Sequence, residues 1–172
     1  MFSFLINKIG NIFSDKDINK KHTEKKHEAK NKFNSLTYLA KNTNITAKKM
    51  LFHELRIMDP LVFEEFILES LNGCGYGIRR NKKYSGDGGI DGLVNIDGDW
   101  IPIQCKRYRR YINNKHVSEF SEIVRSSNYK YGLFIHTGTT GTKSKLKIEN
   151  SPVVLISGEI LISLIAGNIS FS

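Results

Sequence analysis

The chain has 172 residues, 40% of them apolar, which is enough for one main core with an extension rather than for two domains. Lys and Arg outnumber Asp and Glu by 26 to 17, and the net charge of +9 favours a polyanionic partner such as nucleic acid or an acidic membrane surface. Cys74 and Cys105 show neither paired spacing nor a metal-binding cluster, so no disulfide framework or zinc site is indicated, and a reducing cytoplasm fits best.

The opening "MFSFLINKIGNIF" lacks a basic leader region and a small-residue cleavage site, and it is well short of the roughly 20 apolar residues of a membrane span. Phe2, Leu5, Ile6, Ile9, Ile12 and Phe13 recur at helical spacing, which predicts an amphipathic helix over residues 1–13. It is expected to dock on protein, with a membrane surface as the alternative. Residues 14–34 are almost all polar and read as an exposed helix or a flexible linker with a solvated face. Residues 1–57 are therefore expected to form an amphipathic and basic extension, and residues 58–172 the main domain.

From Asp59, "DPLVFEEFILESLNGCGYG" reads as a bounded helix, with Asp59 as N-cap, Pro60 at the first helical position and glycines after the last apolar residue. The glycine-rich turn "YSGDGGIDG" carries no P-loop Lys-Ser/Thr. "IDGLVNI" and "WIPIQCKRY" are strand-like runs joined by Asp97-Gly98, a hairpin signal. Downstream, Val117, Phe120, Ile123 and Val124 mark a helix, "YGLFIHT" and "SPVVLIS" two strands, and "GEILISLIA" a closing helix. The order predicts an α/β domain, a mixed β-sheet flanked by helices around a single main core, with the N-terminal helical and basic extension before it.

With Asp97 and Gly98 at the centre of a tight turn, Ile96 pairs with Asp99, Val94 with Ile101, Gly92 with Ile103, and Asp91 with Gln104. Alternation then puts Asp91, Leu93, Pro102, Gln104 and Lys106 on one half-exposed face and Val94, Ile96, Ile101, Ile103 and Cys105 on the core face. Asp91, Gln104 and Lys106 converge, close enough for one divalent cation to take oxygen ligands from both strands. The plain alternative is an ordinary Asp–Lys pair.

"GDGGIDG" followed by "IQCKRY" resembles the Mrr-like restriction endonuclease catalytic domain of the PD-(D/E)xK nuclease superfamily, in its QxK form. "DPLVFEEF", "GLFIHTG" and "VVLISGEILISLI" extend the resemblance over roughly residues 58–168. It implies a restriction-endonuclease-like fold and a Mg2+- or Mn2+-dependent DNA endonuclease, a restriction or defence enzyme. Asp91, Gln104 and Lys106 stand at its D-QxK positions and Glu64 at its helical glutamate. It also implies that the Cys105 backbone carbonyl is a metal ligand beside Asp91, Gln104 and Glu64.

Lys106 is expected to act electrostatically on the phosphate, and Cys105 as a core residue rather than a nucleophile. His136 reads as a satisfied strand-end histidine and Asp87 as a turn former. Two basic tracts flank the site, Arg79, Arg80, Lys82 and Lys83 in the first, Arg107, Arg109 and Arg110 in the second; both are expected to contact phosphates. The alternative function is a non-catalytic nucleic-acid-binding module with a nuclease-like fold. Oligomeric state is open, a homodimer included.

Helix geometry ranks the glutamates. At about 100° per residue, with Phe63 at 0°, the apolar arc of Ile67, Leu71, Leu68 and Phe66 centres near about 40°, and Glu64 falls near about 100°. Glu65 and Glu69 fall near about 200° and about 240°, away from the arc. Glu64 alone is therefore expected to face inward.

Overall fold

The structure, a computed structural model, describes residues 15–81, 89–142, 145 and 148–171, with side chains from Lys20 onward. The expected helix over 1–13, the turn at Asp87, and Lys82 and Lys83 lie outside the described residues. Helices α1 (Asp15–Lys41), α2 (Ile45–Ile57) and α3 (Pro60–Gly73) precede strands β1 (Gly77–Arg80), β2 (Gly92–Ile96) and β3 (Asp99–Lys106). Then follow α4 (Asn114–Ser126), β4 (Gly132–His136), β5 (Val153–Ile156) and α5 (Gly158–Ile165).

The strands form one mixed sheet in the order β1-β2-β3-β4-β5, antiparallel through β3 and parallel from β3 to β5. Both hairpin-turn residues have positive φ, Asp97 at 51° and Gly98 at 91°, the combination a primed two-residue turn requires. That turn fixes the β2–β3 register as expected, with Ile96 opposite Asp99 and Gly92 opposite Ile103. Asp59 caps α3 through Oδ1, which accepts from the amides of Leu61 at 3.0 Å and Val62 at 3.2 Å. Strand β1 was not expected, because "GIRR" has almost no apolar alternation. Its Arg79 guanidinium lies 3.9 Å from the centre of the Trp100 ring and covers an apolar surface that an aliphatic residue would otherwise cover.

The expectation of a single main core is corrected, because helices cover both faces of the sheet. On one face Phe66 and Leu68 of α3 and Leu161 and Leu164 of α5 meet Val94, Ile103, Cys105 and Ile135. On the other, Val117, Phe120 and Val124 of α4 pack on Phe134 and Val153. Gly132 permits that second contact: a Cβ there would stand 2.6 Å from Val124 Cγ2 and 2.8 Å from the Phe120 ring. The face carrying Gln104 is therefore not half-exposed. Gln104 is 6% accessible and Pro102 is buried too.

Residues 15–57 are more than a solvated extension. Ala29, Leu36 and Ala40 of α1 and Leu51 and Leu55 of α2 are buried in the same core as α3. Their periodicity is hidden in sequence by the surrounding lysines, since alanine adds little to an apolar pattern yet lets helices approach closely.

Candidate active site

Three of the four expected residues come from the ends of neighbouring strands. The paired β2–β3 register ends at Gly92 opposite Ile103, and the Asp91 amide donates to that same Ile103 carbonyl at 2.8 Å, so the ladder steps out of register at Asp91 instead of pairing it with Gln104 as expected. Its carboxylate Oδ2 accepts a 2.6 Å hydrogen bond from the backbone N–H of Cys105, which fixes it over β3. Gln104 donates from Nε2 to the Gly89 carbonyl at 2.6 Å. Its other amide atom, Oε1, is buried with no hydrogen-bond partner among the described residues. Lys106 ends β3, half-buried, in register with His136 of β4.

Glu64 approaches from α3 and is half-buried. Its position registers at Cys105: burial pushes that thiol well up, the charges of Asp91 and Glu64 push it further, and Lys106 opposes them. Glu65 adds a smaller push in the same direction, so three carboxylates and one ammonium lie within electrostatic reach of this sulfur. Cys105 itself is 2% accessible and packs in the main core, so strand parity turns its side chain away and burial disfavours its thiolate.

The oxygens gathered here are hard donors, suited to Mg2+ or Mn2+ rather than to a soft metal. Among the described residues no three His, Cys, Asp or Glu side chains form a metal-holding group, so an ion here would need the Gln104 amide and a backbone carbonyl besides two carboxylates. Gln104 Oε1 fits that need. A buried oxygen without a donor costs free energy unless an electropositive group sits on it.

The glutamate ranking is corrected. Glu65, expected to point outward, is 3% accessible, because α1 packs over that side of α3. Its Oε1 lies 3.0 Å from His22 Nε2 of α1, and its Oε2 accepts from Arg80 Nε of β1 at 3.0 Å. Arg80 also donates to Glu69 at 2.8 Å. The wheel assumed one buried side, whereas α3 lies between α1 and the sheet.

The basic tracts divide by what holds them. Arg80 is paired as above, Arg79 lies on Trp100, and Arg107 donates to the Arg56 carbonyl at 2.5 Å. Arg109 and Arg110 are exposed. Sequence reasoning missed the clamp behind Lys106. Thr137 Oγ1 accepts from the Tyr108 amide at 2.9 Å and donates to the Tyr108 carbonyl at 2.8 Å, while Arg56 donates to the Thr137 carbonyl at 3.2 Å. A Thr just after "GLFIH" was the one available signal.

His136 is fully buried, and burial pushes its pKa down to about 4. Nε2 lies 3.3 Å from the Thr140 hydroxyl, and a hydrogen bond with the Gly138 backbone opposes the effect of burial.

Residues 55–165 match the family model described as "Restriction endonuclease" (Mrr_cat). The Type IV methyl-directed restriction enzyme EcoKMrr of Escherichia coli (strain K12) is 29% identical over 119 residues, which cover 64% of this chain and 39% of that protein. A solved structure of MspJI restriction endonuclease in complex with a 27-mer oligonucleotide aligns with a TM-score of 0.48 at 19% identity, over 69% of this chain and 30% of that one. The chain thus spans well under half the length of either protein.

Proposed function

The chain belongs to the restriction endonuclease family, in its Mrr-like branch, and from that membership we propose that it is a divalent-metal-dependent endonuclease hydrolysing DNA phosphodiester bonds. We place its action in restriction or defence, in the cytoplasm, where its two free thiols would persist. The observation that carries the site assignment is the buried Gln104 Oε1, without a hydrogen-bond partner among the described residues, one residue before Cys105, whose amide holds Asp91 Oδ2.

In this reading Asp91, Glu64, Gln104 Oε1 and the Cys105 carbonyl would hold Mg2+ or Mn2+. Bound there, the ion supplies positive charge to the phosphate and acidifies a water. The chain's own residues do the positioning. The Cys105 amide fixes one Asp91 oxygen, and the Gly89 carbonyl takes the Gln104 amide N–H and so turns Oε1 the other way. Lys106 offers its ammonium to the phosphate oxygens, where charge grows as the bond breaks; this role needs no deprotonation. The Thr137 clamp on Tyr108 holds the chain just past Lys106. Arg109 and Arg110 contact phosphates, and Arg79 does so at the β1 edge, whereas Arg80 and Arg107 act as supports.

The test is plasmid nicking with Mg2+ or Mn2+ on methylated and unmethylated DNA, with Asp91→Ala beside the wild type. Wild-type cleavage, lost in the variant together with metal affinity by calorimetry, is expected. A wild type that binds DNA but cleaves under no metal condition is the non-catalytic module instead.

A further inference from the structure

We propose that α1 is a second DNA-contacting surface, a rigid basic platform beside the candidate active site. The proposal rests on DNA being the substrate, and it follows from where the charge lies. Residues 1–57 carry 12 Lys and Arg against 5 Asp and Glu, a balance of +7, whereas residues 58–172 carry 14 against 12, only +2. Most of the attraction for a polyanion therefore resides outside the nuclease-like part. Within that part, Arg80 and Arg107 are already engaged by protein groups.

The helix is held as a platform. Ala29, Leu36 and Ala40 bury its inner face, and Glu65 joins His22 of α1 to Arg80 of β1. That joint sits beside the site: Arg80 pairs with Gly92 across β1 and β2, and the Asn81 side chain donates to the Ile90 carbonyl, next to Asp91. Lys26, His27 and Lys30 of α1 share a groove with Arg80 and Glu69. Lys20, Lys21 and Lys30 are exposed and Lys26 half-buried. The nearby acids are few: Arg80 offsets one of the two charges of Glu65 and Glu69, and Glu28 and Asp59 lie near Lys25. Glu24 is exposed among the lysines and weakens the field without reversing it.

With 27 residues α1 is about 40 Å long, close to one turn of duplex at about 34–36 Å. An acidic membrane would also attract lysines, but a surface helix binds lipid by inserting an apolar face. The apolar face of α1 is buried in the core, and from Lys20 to Ser35 its exposed residues are all polar or charged.

The experiment measures binding of a 30-base-pair duplex by fluorescence anisotropy across a salt series, in EDTA so that the DNA stays intact whether or not the protein cleaves. The full chain is compared with the combined variant Lys20→Gln, Lys21→Gln, Lys26→Gln, Lys30→Gln. Neutralising these residues is expected to reduce the slope of log affinity against log salt by about two to three units and to weaken binding at least about tenfold. The four Lys→Arg changes are expected to keep the wild-type slope, as is Lys115→Gln, which removes an exposed charge on α4. An unchanged slope in the Gln variant overturns the proposal, as does an equal loss in the Arg variant. Wild-type binding to phosphatidylglycerol vesicles without binding to duplex overturns it in favour of a membrane. Because no arm reads cleavage, failure of the endonuclease reading in the nicking assay is separable from failure here.

Discussion

Lys106→Ala is expected to lower cleavage by at least about 100-fold while duplex affinity changes by less than about threefold. One ammonium at the reacting phosphate acts mainly on charge that develops in the transition state, whereas the binding footprint is shared among many cations. Single-turnover nicking beside anisotropy checks it; equal losses in both would move Lys106 from chemistry to grip. Glu64→Gln and Glu65→Gln are expected to separate function from stability. The first should impair cleavage with its melting temperature nearly unchanged. The second should leave His22 and Arg80 facing a neutral amide in a buried place, at a cost of about 2–3 kcal/mol. Thermal melts of both variants test the division. His136 adds a pH dependence. It stays neutral in the fold down to about 4 but ionises near 6.5 when unfolded, so the unfolded chain takes up the proton first and stability falls as pH drops through this window. The full loss is on the order of 3 kcal/mol. His22, also pushed down by burial, adds to it at the upper end. Melting temperatures between pH 7 and 5, with His136→Asn showing a flatter profile, would bear this out.

At the scale of elements, the site depends on helices lying close on a thin sheet. Gly92 faces α3, where a Cβ would stand 2.9 Å from Leu68 Cδ2, and Gly132 faces α4 on the opposite side. Gly132→Ala is expected to cost about 1–3 kcal/mol through overpacking against Val124 and Phe120, neither of which is the end of a long flexible chain. Denaturant unfolding measures it. A neutral result would mean that α4 can shift outward freely and that its packing on Phe134 and Val153 is not tight.

For the whole molecule, the family match begins at residue 55, yet the core includes residues from α1 and α2. A chain beginning at residue 58 would expose Phe66, which packs on Phe33 of α1, and the buried carboxylate of Glu65 on α3, both 3% accessible or less in the complete protein. It is expected to bind the dye ANS and to melt with little cooperativity, where the full chain melts as one unit. Two-state melting of the shortened chain would show that α1 and α2 are accessory after all. The same integration makes α1 a surface of fixed orientation rather than a tether.

The sequence by itself determined what depends on neighbours along the chain. Asp59-Pro60 starts α3, Asp97-Gly98 sets a turn whose register runs out to Gly92 opposite Ile103, and parity sends Cys105 to the core and Gln104 and Lys106 to the other face. These follow from local dihedral preferences and the two-residue period of a strand, and the resemblance of the motifs led to the right family. Only the tertiary structure decided which faces are covered. Glu65 looked solvated on a helical wheel and became buried once α1 lay across it, Gln104 was covered by the segment at Gly89, and "GIRR" became a strand because β2 offered it a partner. A wheel or a strand pattern records one face at a time, and burial of the second is fixed by an element distant in sequence that no local period encodes.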